Sequence, residues 1–229
     1  MAAGWGLFFM VVVVTGFISR LVTVWILTGY PWPSADGKKK KEQRSLKTLI
    51  VLGSGGHTAE ILNVVRALNF ERYQPRCYIA AVTDNHSLSK AQKVEEAAAS
   101  KKFGNQGYQQ PTYYRIYRSR EVGQSYLTSI WTTLMAMADA FWLVIRIRPD
   151  VILCNGPGTC LPICIAGFFL KVVGVKWVVM VYIESIARVQ KLSLTGLLFY
   201  RLHLMDRFIV QWPKLQEKFP LTEYLGRLM

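Results

Sequence analysis

The residues able to do chemistry in this sequence sit in two short glycine-rich loops and one acidic motif. The first loop is GSGGHT, Gly53 to Thr58. It follows the apolar run KTLIVL (47–52) and precedes ILNVVRAL (61–68), in which Ile61, Leu62, Val65 and Leu68 fall on one helical face. In a strand–loop–helix unit of this kind, Gly53, Ser54, Gly55 and Gly56 let the backbone approach an anion. The N–H groups of the helix's first turn favour that anion's charge. The loop is not GxGxxG, because its second and third glycines are adjacent, and no Gly-Lys-Ser/Thr ends it as in a P-loop. His57, with Thr58 beside it at the helix mouth, is placed to act as a general base or as a diphosphate ligand. Capping the helix is its plainer role.

The second loop is NGPGT, in which Gly156 and Gly158 bracket Pro157 between Asn155 and Thr159. This composition suits a rigid turn that exposes backbone N–H groups. One such turn is ordinary. Two of them at the carboxyl ends of parallel strands mark the edge where open α/β sheets bind ligands. The acidic motif is YIES, 182–185, where Glu184 either handles a sugar hydroxyl and its proton or stabilises a helix amino terminus. Arg115, Arg118, Arg120 and Glu121 form a charged cluster that either reaches phosphate or is a solvated loop. The four cysteines, Cys77, Cys154, Cys160 and Cys164, lack the spacing of a zinc site, and Cys160 and Cys164 read as small buried hydrophobes. No metal or cofactor is expected. Asp84 is the nearest candidate for a ribose-binding carboxylate, but no GxGxxG loop accompanies it.

The elements that must position these loops alternate. Strands are expected at 47–52, 76–83, 113–117, 151–154, 176–183 and 207–211, with helices near 61–68, 87–99, 125–146, 160–173 and 193–203. That order predicts an α/β fold with one parallel sheet and helices on both faces. The helix at 125–146 carries Leu127, Ile130, Trp131, Leu134, Met137, Ala138, Phe141, Trp142 and Ile145 at helical spacing. It is expected to pack on the core, with membrane contact along one edge. The stretch after Gln211 either docks on a partner or closes the sheet.

Net charge is +14, with 28 basic against 14 acidic residues, and 52% of residues are hydrophobic. A basic and apolar chain points to a membrane surface rather than nucleic acid, and no basic run interleaved with stacking aromatics is present. Residues 2–19 carry no charged side chain and the apolar character resumes after Arg20 through Leu27, enough for the roughly 20 residues a spanning helix needs. The first residues hold no Lys or Arg and no small-residue cleavage site follows, so an uncleaved anchor is expected over 1–30, with Arg20 extending toward the headgroups. Residues 31–46 read as a basic linker containing Lys38 to Lys41, which places the domain at 47–229 in the cytosol.

LGSGGHTAE, RSREV, LCNGPGTCLPI and VYIES, spaced as they are here, resemble the membrane-anchoring subunit of the endoplasmic reticulum UDP-N-acetylglucosamine transferase, the asparagine-linked glycosylation protein fourteen family. The match runs from Thr48 to Arg227. The glycine loop with its histidine is also similar to the acceptor domain of the bacterial transferase that makes the lipid-linked peptidoglycan precursor. The resemblance implies a single Rossmann-like domain, half of a GT-B type glycosyltransferase, behind an amino-terminal transmembrane helix. It implies a single-pass protein of the endoplasmic reticulum membrane and a soluble catalytic partner that binds UDP-N-acetylglucosamine, the thirteenth member of the same series. The pair would add the second N-acetylglucosamine to dolichyl-diphosphate-N-acetylglucosamine without a metal. His57 and Glu184 would be the catalytic residues. Gly53, Ser54, Gly55, Gly56, Thr58, Asn155, Gly156, Gly158, Thr159, Arg118 and Arg120 would bind the acceptor diphosphate. A two-domain transferase needs more than the 183 residues from Lys47 to Met229, so the donor site is expected on another polypeptide. The alternative is a non-enzymatic membrane scaffold whose glycine loops are only structural.

Overall fold

The computed structural model describes residues 2–29, 44–102, 108–117, 126–156 and 158–228. Residues 30–43 with the Lys38–Lys41 cluster, together with Arg118, Arg120, Glu121 and Pro157, lie outside the described residues. Helix α1 (Ala2–Gly29) precedes an alternating series: β1 (Thr48–Val51), α2 (Gly56–Ala67), β2 (Arg76–Ala81), α3 (Ser87–Lys102), β3 (Thr112–Ile116), α4 (Tyr126–Ile147), β4 (Val151–Asn155), α5 (Cys160–Val172), β5 (Val179–Ile183), α6 (Leu194–Leu202) and β6 (Arg207–Val210). A short α7 (Pro213–Lys218) and β7 (Glu223–Tyr224) end the chain.

The strands form one seven-stranded sheet in the order β3-β2-β1-β4-β5-β6-β7, and every pairing is parallel. Strands β1, β2 and β4 are buried along their whole length, as expected for a sheet covered on both faces. Alternate side chains feed two cores. Leu49, Val51, Ile152, Cys154, Met180 and Tyr182 face α4, α5 and α6, whereas Ile50, Leu52, Tyr78, Leu153 and Ile183 face α2 and α3. All four cysteines are buried and unbridged. The carboxyl-terminal stretch closes the sheet: β7 pairs with β6, and Leu228 N donates to Gln211 Oε1 at 3.2 Å.

A buried ion pair secures β2 to α3. Arg76 donates to Glu95 through Nε (2.6 Å) and Nη2 (2.8 Å), and Tyr78 and Tyr108 hydroxyls also donate to that carboxylate. Burial pushes the Glu95 carboxyl up, but the Arg76 and tyrosine hydrogen bonds outweigh it and hold it below the usual range.

Helix α1 includes a 21-residue stretch, Phe8–Thr28, apolar and long enough to cross a membrane. Its carboxyl-terminal part is bonded to the α/β domain. Arg20 Nε donates to Val172 O at 2.5 Å and Nη2 to Lys171 O at 3.3 Å, so the guanidinium caps the end of α5 instead of extending away from the protein. Gly174, with φ +76°, leaves room for it: a Cβ there would come within 2.7 Å of Nη2. Trp25 Nε1 donates to Leu202 O at 2.8 Å, and Lys171 Nζ bridges Thr28 Oγ1 (3.3 Å) and Asp206 Oδ2 (2.5 Å).

Candidate functional site

The strand order reverses between β1 and β4. The chain leaves β1 toward β2 on one side, and β4 continues on the other, so the loops after these two strands flank the crevice of a doubly wound sheet. The loop after β1 turns at Gly55, whose φ of 62° and ψ of −121° suit only glycine, and no side chain caps α2 behind it. Ser54, Gly55 and Gly56 are exposed, and a Cβ added at Gly55 or Gly56 would meet nothing within 4 Å. The exposed mouth, with open space beside Gly55 and Gly56, leaves room for an anion near the first turn of α2. Gly53 and Thr58 play another part. Gly53 O accepts from Ser87 Oγ (3.0 Å) and from the fully buried Thr58 hydroxyl, so these groups bind the loop to the start of α3 and are turned away from the mouth. Beside the loop is a hollow of about 540 Å³ lined by Ser54, Gly55, His86, Lys90 and Lys93. These two lysines carried no motif in the sequence.

His57 is the side chain on which both loops converge. Its ring is 34% exposed, and Nδ1 lies 2.9 Å from Asn155 Oδ1. Asn155 Nδ2 donates to Glu60 Oε2 at 2.8 Å, and Ser185 Oγ donates to Glu60 Oε1 at 2.8 Å. The donor roles follow by elimination. A carboxylate only accepts, so Nδ2 of Asn155 must face Glu60 and its carbonyl oxygen must face the ring. Nδ1 of His57 therefore carries a proton, and in the neutral ring Nε2, with no partner among the described residues, is the nitrogen able to accept another. Gly156 is required for this arrangement. Its φ is +78°, and a Cβ there would lie 2.3 Å from His57 Nδ1 and 2.5 Å from Cε1.

Across the crevice, Gly158 is exposed and Thr159 sits at the amino terminus of α5. Thr159 is 6% exposed, yet its Oγ1 has no hydrogen-bond partner among the described residues. Such a buried, unmatched hydroxyl is costly unless a ligand or water meets it.

Glu184 is placed differently from a residue that touches substrate. It is 0% exposed, and its carboxylate accepts from Ser193 N (2.9 Å), Ser193 Oγ (3.0 Å) and Ser185 N (3.1 Å), securing the start of α6. Burial pushes its carboxyl above the usual range, and these hydrogen bonds oppose the rise. Glu60, 7% exposed, is the carboxylate that reaches His57's network, and sequence reasoning gave it no role. The available signal was its spacing: three residues after His57, on the same face of α2.

The family described as "oligosaccharide biosynthesis protein Alg14 like" matches residues 48–228. The mouse "UDP-N-acetylglucosamine transferase subunit ALG14" is 49% identical over 187 residues, spanning 82% of this chain and 85% of the relative. The human protein of that name is 46% identical over 187 residues, with the same shares, and the Schizosaccharomyces pombe one 42% over 195, spanning 83% and 86%. Among solved structures, Acinetobacter baumannii MurG superposes with a TM-score of 0.50 at 17% identity, over 79% of this chain and 44% of that one. A Listeria monocytogenes putative UDP-N-acetylglucosamine 2-epimerase also has a TM-score of 0.50, at 12% identity, over 77% and 42%. These likenesses concern the fold alone, and the chain spans less than half of either structure. By the extent and identity of the sequence matches, this chain belongs to the Alg14 family of oligosaccharide biosynthesis proteins.

Proposed function

We propose that this chain is the membrane-anchoring, acceptor-binding subunit of the UDP-N-acetylglucosamine transferase that adds the second N-acetylglucosamine to dolichyl-diphosphate-N-acetylglucosamine. The names of its relatives, each a UDP-N-acetylglucosamine transferase subunit, support the class of reaction. The observation that carries the acceptor role is the unpartnered Nε2 of His57 between two glycine loops at the strand-order switch.

In this reading, backbone amides around Gly55 and Gly56, the Ser54 segment, and Gly158 with the Thr159 hydroxyl hold the lipid's diphosphate, with Arg118 and Arg120 of RSREV adding charge. His57 is the general base. As the acceptor hydroxyl oxygen bonds to the anomeric carbon of the donor sugar, Nε2 takes the hydroxyl proton and UDP departs with the electrons of the broken bond. Asn155 and Glu60 hold the ring in the tautomer that can do this. Glu184 acts one step removed, by securing the β5 loop and thereby Ser185.

UDP-N-acetylglucosamine comes with a soluble partner subunit. An apolar hollow of about 630 Å³ on the sheet face carrying α2 and α3, lined by Leu153, Val181, Ile209 and the carboxyl-terminal Leu225 and Leu228, supports a second chain docking there. Helix α1 anchors the chain in the endoplasmic reticulum membrane, and Lys38 to Lys41 favour a cytosolic domain. The test is transfer by paired chains carrying His57→Ala, with acceptor binding measured separately. Binding should survive while turnover falls by roughly 10²–10⁴-fold. Full turnover by that pair would refute the base assignment, and full activity of this chain alone would refute the division between two subunits.

A further inference from the structure

Helix α4 is apolar on two opposite sides. Ala136, Ala140, Leu143, Val144 and Ile147 are buried in the core. On the other side Trp131 is 67% exposed, Leu134 57%, Met135 42%, Trp142 61% and Ile145 41%. At about 100° per residue these five directions fall within roughly 60° of Trp131, a single stripe. A helix in water carries a polar face opposite its core face, and an exposed apolar patch of this kind marks a covered surface.

The neighbouring elements say what covers it. The Phe141 ring packs against Phe169 at 5.3 Å, which sets the carboxyl-terminal half of α4 beside the last turns of α5. Those turns are where Arg20 of α1 is bonded. At about 1.5 Å per residue α1 is about 42 Å long, against roughly 30 Å of hydrocarbon. The surplus of about eight residues matches the part after Arg20 that is docked on the α/β domain through Trp25 and Thr28. The membrane boundary then lies along the Arg20–Thr28 part of α1, against the end of α5, where Val22, Ile26 and Leu27 keep an exposed apolar side. From there the α4 stripe continues for about 20 Å, from Ile145 to Trp131, toward the edge of the sheet that bears the glycine loops. Its chemistry is interfacial: two tryptophans, Arg146 stacked on Trp142 at 5.0 Å, and Arg148 exposed just beyond. Asp139, the one acidic residue of the helix, turns aside to accept from Tyr117 N at 3.3 Å.

We propose that the outer face of α4 lies on the bilayer at the boundary of headgroups and hydrocarbon. The domain therefore rests on its side, and the loop mouth stands level with a lipid-borne diphosphate. This orientation does not depend on the role of His57. The test uses the full chain in phosphatidylcholine vesicles containing phosphatidylinositol, with an environment-sensitive NBD label at L134C or I145C. The four native cysteines are buried, so a new surface thiol is labelled selectively. Q92C, exposed on α3 against the other core, is the control. The two α4 labels should emit at shorter wavelength and be quenched several-fold more by nitroxide-bearing acyl chains than the control. M135C replaces either position if that variant folds poorly. Quenching no stronger than at Q92C would overturn the proposal. So would shielding that appears only after the partner subunit is added, because a protein would then be the cover.

Discussion

Replacing Gly156 by alanine tests the site at the point where its backbone and its chemistry meet. The residue sits at φ +78°, and placing a side chain in the left-handed region costs about 1–2 kcal/mol. The new methyl would lie 2.3 Å from His57 Nδ1, 2.5 Å from Cε1 and 2.7 Å from Cγ, far inside contact distance, so the ring must swing away. Swinging it breaks the 2.9 Å hydrogen bond to Asn155, worth about 1 kcal/mol more. The expected destabilisation is therefore about 2–3 kcal/mol, read by urea or thermal unfolding. On the base role proposed for His57, displacing its ring should lower kcat by roughly 10²–10⁴-fold when the variant is paired with the proposed donor-binding subunit. A second measurement separates the two causes. In a His57→Ala background the ring is gone, so Gly156→Ala should cost only the backbone share, about 1–2 kcal/mol. Equal costs in both backgrounds, or unchanged stability and turnover in the single variant, would refute the close approach of loop and ring. Gly56→Ala is the contrast, since its Cβ meets nothing within 4 Å: folding should be unaffected while acceptor affinity declines.

Two further outcomes follow from buried carboxylates. Glu60→Ala releases the Asn155 amide, which is then free to flip and present its nitrogen to the ring. Turnover should fall by roughly tenfold, about 1.4 kcal/mol, at unchanged acceptor KM. The nitrogen NMR signature of His57 should shift away from the Nδ1-protonated tautomer, and an unaltered spectrum would dismiss the positioning role. Glu95→Gln leaves Arg76 buried and poorly matched, and should destabilise the domain by about 3 kcal/mol. Because the folded Glu95 carboxyl lies below its ordinary 4.5, the stability it contributes is present above that pH and lost as pH falls through the folded value. The variant should show a correspondingly flatter loss of stability in acid, and identical acid profiles would contradict the pairing.

The local features of this chain were legible in its residues. Apolar runs before glycine loops and helical periodicity after them revealed the alternation of strands and helices, because burial on two faces and on one stripe leave different periods. Boundaries agreed closely for many elements, but α2 begins at Gly56, five residues before the stretch expected to be helical, and β5 begins three residues later than expected, where Lys176 to Val178 form no ladder. The short α7 and β7 were missed, since six and two residues are too few to show a period. Arg20 pointed to lipid headgroups by its place in an apolar run, but the open carbonyls at the end of α5 are a nearer partner, and nothing local to Arg20 reveals them.

The site divides in the same way. Sequence alone determined which loops could approach an anion and that His57 stands at a helix mouth, because glycine spacing and helix onset are local properties. Only the tertiary structure decided which carboxylate serves that histidine. Asn155 meets His57 across 98 positions of chain, and Ser185 meets Glu60 across 125. Those contacts exist because β1 and β4 are neighbours in a parallel sheet, and strand order is set by packing whole faces together, which no short stretch of sequence encodes. The same packing turned Glu184 inward against Ser193 and left Glu60 beneath the ring.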